Sequence, residues 1–144
     1  MYEATLDETG MGETRIWDPN SVRVVETLAL SADDGVLYIV PVGYVFYLEE
    51  AHLNVTLDFK DSPHGFNYIS WYNLADDLIR DICQIWICEE DPWPTGAFQG
   101  DHAIFLSNLR LVEGHYLGLT SQHAGMLAEG SISGFLVRDY EDPL

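Results

Sequence analysis

A chain of 144 residues is sized for one domain, and its 47% apolar and 12% aromatic content is enough to bury a core without metal or disulfide staples. Asp and Glu number 24 against 6 Lys and Arg, a net charge of −18, with Lys60 the only lysine. That leaves too few cations for the basic stripe that neutralises nucleic-acid phosphates or docks on an anionic membrane, and no apolar run reaches the roughly 20 residues that span a bilayer.

Spread over a folded surface of this size, the net charges stand roughly 20 Å apart. The Debye length at physiological salt is only about 8 Å, so the acidity is compatible with folding. Solubility, a basic partner or an acidic outer surface are the roles it leaves open. Met1-Tyr2-Glu3-Ala4 is acidic and lacks the basic lead of a secretory signal, so none is expected. Cys83 and Cys88 do not form a Cys-x-x-Cys pair, and on one strand they point to opposite faces. Two buried free thiols in a reducing cytoplasm are the expectation.

In chain order, residues 1–20 are broken by Gly10, Gly12 and Pro19, with Ile16 and Trp17 the only anchors. They are expected to form an extended arm that packs on a neighbouring subunit, or a frayed terminus. Val22, Val24, Val25 and Thr27 predict a strand over 21–30, Asp33-Asp34-Gly35 a turn, and 36–40 a second strand. A corner at Pro41-Val42-Gly43 leads into 45–59, where Leu53, Val55, Leu57 and Phe59 alternate with His52, Asn54, Thr56 and Asp58. That period of two declares one buried and one wet face. Phe46 and Leu48 lie on the opposite parity, and a β-bulge at Glu49-Glu50 resolves the conflict.

A loop at 61–65 precedes an aromatic strand over 66–72. Residues 78–88 fit either a helix, with Asp76 as its cap, or a strand; the run Ile85-Trp86-Ile87 favours the strand, with Trp86 in the core. Pro92, Pro94, Gly96 and Gly100 predict a loop over 89–100 carrying Trp93 and Phe98. Short strands follow at 102–106, 109–112 and 116–120, with a tight turn at Glu113-Gly114, a loop over 121–131, a last strand at 132–138 and an acidic tail over 139–144. Strands at intervals of about ten residues predict an all-β antiparallel sandwich over 21–138, jelly-roll-like, with the arm in front and the tail behind.

No catalytic constellation emerges. The five histidines, His52, His64, His102, His115 and His123, contain no His-x-His or His-Glu-x-x-His pair. The β-sandwich cupins hold a metal with His-x-His and a following Glu; here Glu49, Glu50 and His52 stand together but the second histidine is missing, so no metal and no cofactor are expected. Ser121-Gln122-His123 and Ser131-Ile132-Ser133-Gly134 offer no nucleophile elbow. Among 24 acids, neighbours such as Asp76-Asp77 and Glu89-Glu90-Asp91 arise by chance as solvated loops. Trp71-Tyr72, Trp86 and Trp93 with Phe98 can serve as a sugar platform or as interface anchors. The expected partner-binding residues are Ile16, Trp17, Trp93 and Phe98, and no enzyme is expected.

Two stretches carry a resemblance. Val40-Pro41-Val42-Gly43-Tyr44-Val45-Phe46-Tyr47-Leu48, continuing to Thr56, is similar to the opening long strand of small β-sandwich structural proteins of tailed bacteriophages. Leu109-Arg110-Leu111-Val112-Glu113-Gly114-His115-Tyr116-Leu117, followed by Gly130-Ser131-Ile132-Ser133-Gly134-Phe135-Leu136-Val137, resembles their final hairpin and closing strand. The resemblance is to capsid decoration (cement) proteins. It implies a homotrimer on the outside of the phage head, made in the host cytoplasm, that clamps neighbouring major capsid proteins and touches neither nucleic acid nor membrane. A carbohydrate-binding module and an acidic nucleic-acid mimic that inhibits a DNA-binding protein are the alternatives.

Overall fold

The computed structural model describes residues 3–6, 14–17, 20–57, 64–87 and 98–139. Among the described residues ten strands run in chain order: β1 (Glu3–Leu6), β2 (Thr14–Trp17), β3 (Val22–Leu30), β4 (Asp33–Ile39), β5 (Tyr44–Leu57), β6 (Gly65–Tyr72), β7 (Leu78–Ile87), β8 (Phe98–Leu111), β9 (Tyr116–Ser121) and β10 (Met126–Arg138). Among the described residues there is no helix. One sheet has the order β3-β10-β5-β8 and the other β4-β9-β6-β7, with every neighbouring pair antiparallel. From β3 onward the chain crosses between the sheets at every step except β6 to β7, which pair directly. This is the double Greek key of a jelly roll. The expected β-sandwich is therefore the observed architecture. Within the first twenty residues, where an extended arm is expected, β1 and β2 pair antiparallel, with Glu3 opposite Trp17.

Strand β5 organises the core. Leu53, Val55 and Leu57 point inward and are fully or almost fully buried, while His52, Asn54 and Thr56 point outward. Phe46 and Leu48 are also buried, on the other parity. The two sets share one face because the register with β10 steps from Gly134–Leu48 to Ser133–Glu50, skipping Glu49. This is the bulge expected from the parity conflict. On the other side β8 steps from Leu109 to Ile104 opposite the same point. Ile69 from β6, Cys83, Ile85 and Ile87 from β7, Leu117 and Leu119 from β9, and Met126, Ala128 and Ile132 from β10 complete the core.

Several boundaries differ from the sequence expectation. Asp33-Asp34-Gly35 is not the turn but the start of β4; the chain turns at Ser31-Ala32, where Ala32 has φ 49°. Gly35 is small for another reason: a Cβ there would stand 2.6 Å from the Leu28 side chain of the facing sheet. The two short strands expected at 102–106 and 109–112 are parts of the single strand β8, and most of the loop expected over 121–131 belongs to β10. β10 does not close a sheet edge; it lies between β3 and β5. Residues 78–87 are a strand, as favoured, but Trp86 faces solvent with 59% of its surface exposed. Strict alternation sends Cys83, Ile85 and Ile87 inward, so their neighbour must face out.

The turns at one end of the sandwich are as expected. Gly43 (φ 83°) and Gly114 (φ 79°) occupy the left-handed region that suits glycine. Tyr44 N–H donates to the Pro41 carbonyl and His115 N–H to the Val112 carbonyl, closing the two turns. Backbone bonds between Val40 and His115 and between Gly114 and Val40 then tie them together. Cys83 is a buried free thiol whose pKa burial pushes up to about 12, so it is inert at neutral pH. Cys88 lies outside the described residues.

Candidate functional site

The outward face of the first sheet carries a cluster that its register assembles. His52 of β5 and His102 of β8 are direct cross-strand partners. Their rings stack with centroids 4.0 Å apart and planes 16° from parallel. Two residues along β5 on the same face, Glu50 brings Oε1 to 3.7 Å from His52 Nε2 and Oε2 to 3.7 Å from His102 Nε2. One donor atom from each of the three side chains lies within 4.8 Å of the others.

The bulge decides which glutamate joins the cluster. It turns two consecutive acids to the outer surface and splays them. Glu49 reaches across β10 to Arg23 of β3, with Nη1 to Oε1 at 2.7 Å. The Arg23 guanidinium is itself steadied over the Phe135 ring at 5.1 Å. Glu50 is left to the histidines, and Ser133 Oγ, opposite it on β10, donates to Oε1 at 3.4 Å. The three cluster side chains are 40% (Glu50), 42% (His52) and 43% (His102) exposed, so solvent reaches them. Two imidazoles and a carboxylate are a donor set suited to a transition-metal cation.

The second histidine missing from the strand that carries Glu50 and His52 is thus supplied by the neighbouring strand. Sequence spacing alone misses it, because fifty residues separate His52 from His102 and only the β5–β8 register aligns them.

The outer face of the second sheet is aromatic. Phe66 of β6 stacks beside Trp86 of β7 at 6.1 Å, with Tyr68 at 6.3 Å from Phe66. Tyr72 and Tyr116 stack at 4.9 Å, and Val36 of β4 lies exposed on the same sheet. Burial and a hydrogen bond to Asp76 push the Tyr116 phenol above its usual range. A cleft of about 730 Å3 opens alongside, lined by Asp33, Asp34, His64, Tyr68, Tyr72 and Gln122 among others. Gln122 Nε2 donates to the Tyr68 hydroxyl at 3.1 Å, and Gln122 Oε1 accepts from the Phe66 backbone N–H. Trp71, expected as part of a platform with Tyr72, is partly buried and donates from Nε1 to His115 Nδ1 at 3.0 Å. Burial pushes the His115 imidazole below its usual range and so keeps that nitrogen an acceptor.

Of the residues expected to anchor a partner, Ile16, Trp17, Trp93 and Phe98, no side chain is described. Ile16 and Trp17 are in β2 and Phe98 begins β8 opposite Thr56. Trp93 lies outside the described residues.

No family model matches the chain, and no curated protein is similar to it. Among solved structures, a chain from Bacillus endospore appendages, described as a novel family of disulfide-linked pili, matches with a TM-score of 0.39. The match covers 82% of this chain and 86% of that one, at 11% identity.

Proposed function

We propose that the chain is a non-catalytic structural subunit acting by adhesion: a capsid decoration protein that sits as a homotrimer on the exterior of a tailed-phage head and braces its major capsid protein. The observation that carries this reading is the apolar outer face of the sheet β4-β9-β6-β7. A sandwich has to bury only the inner face of each sheet, yet Trp86, Val36 and Phe66 turn outward, 59%, 57% and 36% exposed. Exposed apolar surface of this kind marks interaction sites, and tryptophan beside another aromatic is a frequent interface anchor. Val42 and Leu74, on turns that meet at one end of the sandwich, add to the exposed apolar surface. Assembly also covers edge strands such as β3 and β7, whose open backbone groups otherwise invite aggregation. The strongly acidic composition suits an outer surface kept away from packaged DNA.

Light scattering coupled to size exclusion tests this on the full chain. Three chains per particle are expected, and Trp86→Glu is expected to release monomers while leaving the far-ultraviolet circular dichroism unchanged. A wild-type protein that stays monomeric at high micromolar concentration overturns the trimer.

The cleft beside Tyr68 and Tyr72 favours a carbohydrate-binding module as the second reading, since aromatic rings next to Asp33, Asp34 and Gln122 offer stacking and hydrogen bonding together. It predicts a saturable change in intrinsic fluorescence with some member of a glycan panel, lost in Tyr68→Ala. A silent panel removes this reading.

A further inference from the structure

We propose that Glu50, His52 and His102 form a binding site for one divalent transition-metal cation, zinc above all, on the outer face of the sheet β3-β10-β5-β8. The inference is independent of the assembly reading, because it rests on a different sheet and different residues.

The donor chemistry comes first. Two imidazole nitrogens and one carboxylate are the ligand set of open zinc sites, and they suit zinc, cobalt, nickel or copper. Magnesium and calcium need oxygen-rich shells that this cluster cannot supply. The spacing is close to what an ion demands. With bonds of about 2.0–2.2 Å in a tetrahedral arrangement, ligand atoms stand roughly 3.3–3.5 Å apart. Each Glu50 oxygen is 3.7 Å from its histidine nitrogen, so contraction by a few tenths of an ångström completes that side. The stacked rings present their in-plane nitrogens side by side and must tilt to converge. Half-exposed side chains can turn this way without disturbing the core, and the open coordination positions face water.

The backbone has already paid most of the ordering cost. His52 and His102 are fixed as partners by the β5–β8 ladder, whose inward residues Ala51, Leu53 and Ala103 pack into or against the core. Glu50 is aimed by the bulge and held by Ser133. Arg23 engages Glu49, so its guanidinium does not occupy the site.

Isothermal titration of the full chain with zinc chloride at neutral pH is the test, with cobalt absorption as a second reading of the ligand set. One zinc per chain is expected, with micromolar or tighter affinity and no heat from magnesium. Loss of an outer-shell partner typically weakens a metal site about 10–100-fold. Removing a ligand in His52→Ala, His102→Ala or the isosteric Glu50→Gln is therefore expected to weaken zinc binding at least roughly 100-fold. Glu50→Gln keeps the side-chain shape and the oxygen that Ser133 reaches, and so reports on the site even where an alanine variant fails to fold. His123→Ala removes a partner of the other close imidazole pair, His64 and His123 at 4.3 Å, and is expected to bind zinc as the wild type does. No zinc heat from the wild-type chain overturns the proposal. So does unchanged affinity in Glu50→Gln together with the folded histidine variants, or a loss confined to His123→Ala.

Discussion

Gly134→Ala is expected to destabilise the protein by about 3 kcal/mol or more, at the upper end for an overpacked site. Gly134 lies in β10 at the register step, opposite Leu48 of β5 and Val24 of β3. A Cβ added there would run into the Tyr47 backbone carbonyl and stand 2.7 Å from Phe46 Cζ. A side chain can rotate away from such a contact, but a carbonyl held in a central ladder cannot. Either β10 withdraws from β5 or the bulge is lost, and losing the bulge returns Phe46 and Leu48 to the wet face. Since a domain's whole stability is only about 5–15 kcal/mol, a urea midpoint should fall visibly, or soluble yield should collapse. A variant with the wild-type midpoint and slope would show that the strands do not approach so closely.

The same bulge shows how far the sequence speaks. The alternation through Leu53, Val55 and Leu57 and its reversal at Phe46 and Leu48 are local patterns, and they predict both the buried face and the place where the phase shifts. Turns closed by Gly43 and Gly114 are equally local, because the left-handed backbone there selects glycine. What the chain does not display locally is pairing. Gly35 resembles a turn residue until the Leu28 side chain is seen above it. Trp86 resembles a core residue among isoleucines until the inward parity of Cys83, Ile85 and Ile87 is fixed by β6.

The histidine–glutamate cluster is the extreme case. Its three members occupy two strands whose alignment depends on the whole jelly roll, so no motif of fixed spacing can announce it. The aromatic outer face is intermediate. Of its residues only Tyr72 and Trp86 stand among the aromatic candidates of the sequence, Trp86 as a core residue, because exposure depends on which parity the core takes.

Phe46→Ala carries the other large expected effect, a loss of about 3–5 kcal/mol. Phe46 is fully buried, and its ring meets Tyr38 of β4 at 4.9 Å, so it joins the two sheets. Removing it opens a cavity between the two sheets, which resist closing on it because Leu48 of β5 and Tyr38 of β4 are each held in their own ladders. At about 2–4 °C of melting temperature per kcal/mol for a chain near this size, a drop on the order of 10 °C is expected. A second readout separates this cavity from general loosening. Burial first, and then the charge of Glu26, raise the Tyr38 pKa above its ordinary value. The unfolded chain therefore ionises this tyrosine first, and native stability falls as pH climbs through the ordinary tyrosine range. In Phe46→Ala water reaches Tyr38, so its ionisation should move back down and that slope should flatten, leaving the part owed to the Cys83 thiol and to Tyr116. Combining the two substitutions then tests their coupling. The alanine at 134 no longer meets a ring, yet it still meets the Tyr47 carbonyl, so the double variant should recover only part of the Gly134→Ala loss. Full recovery would assign that loss to the ring alone and remove the backbone from the account.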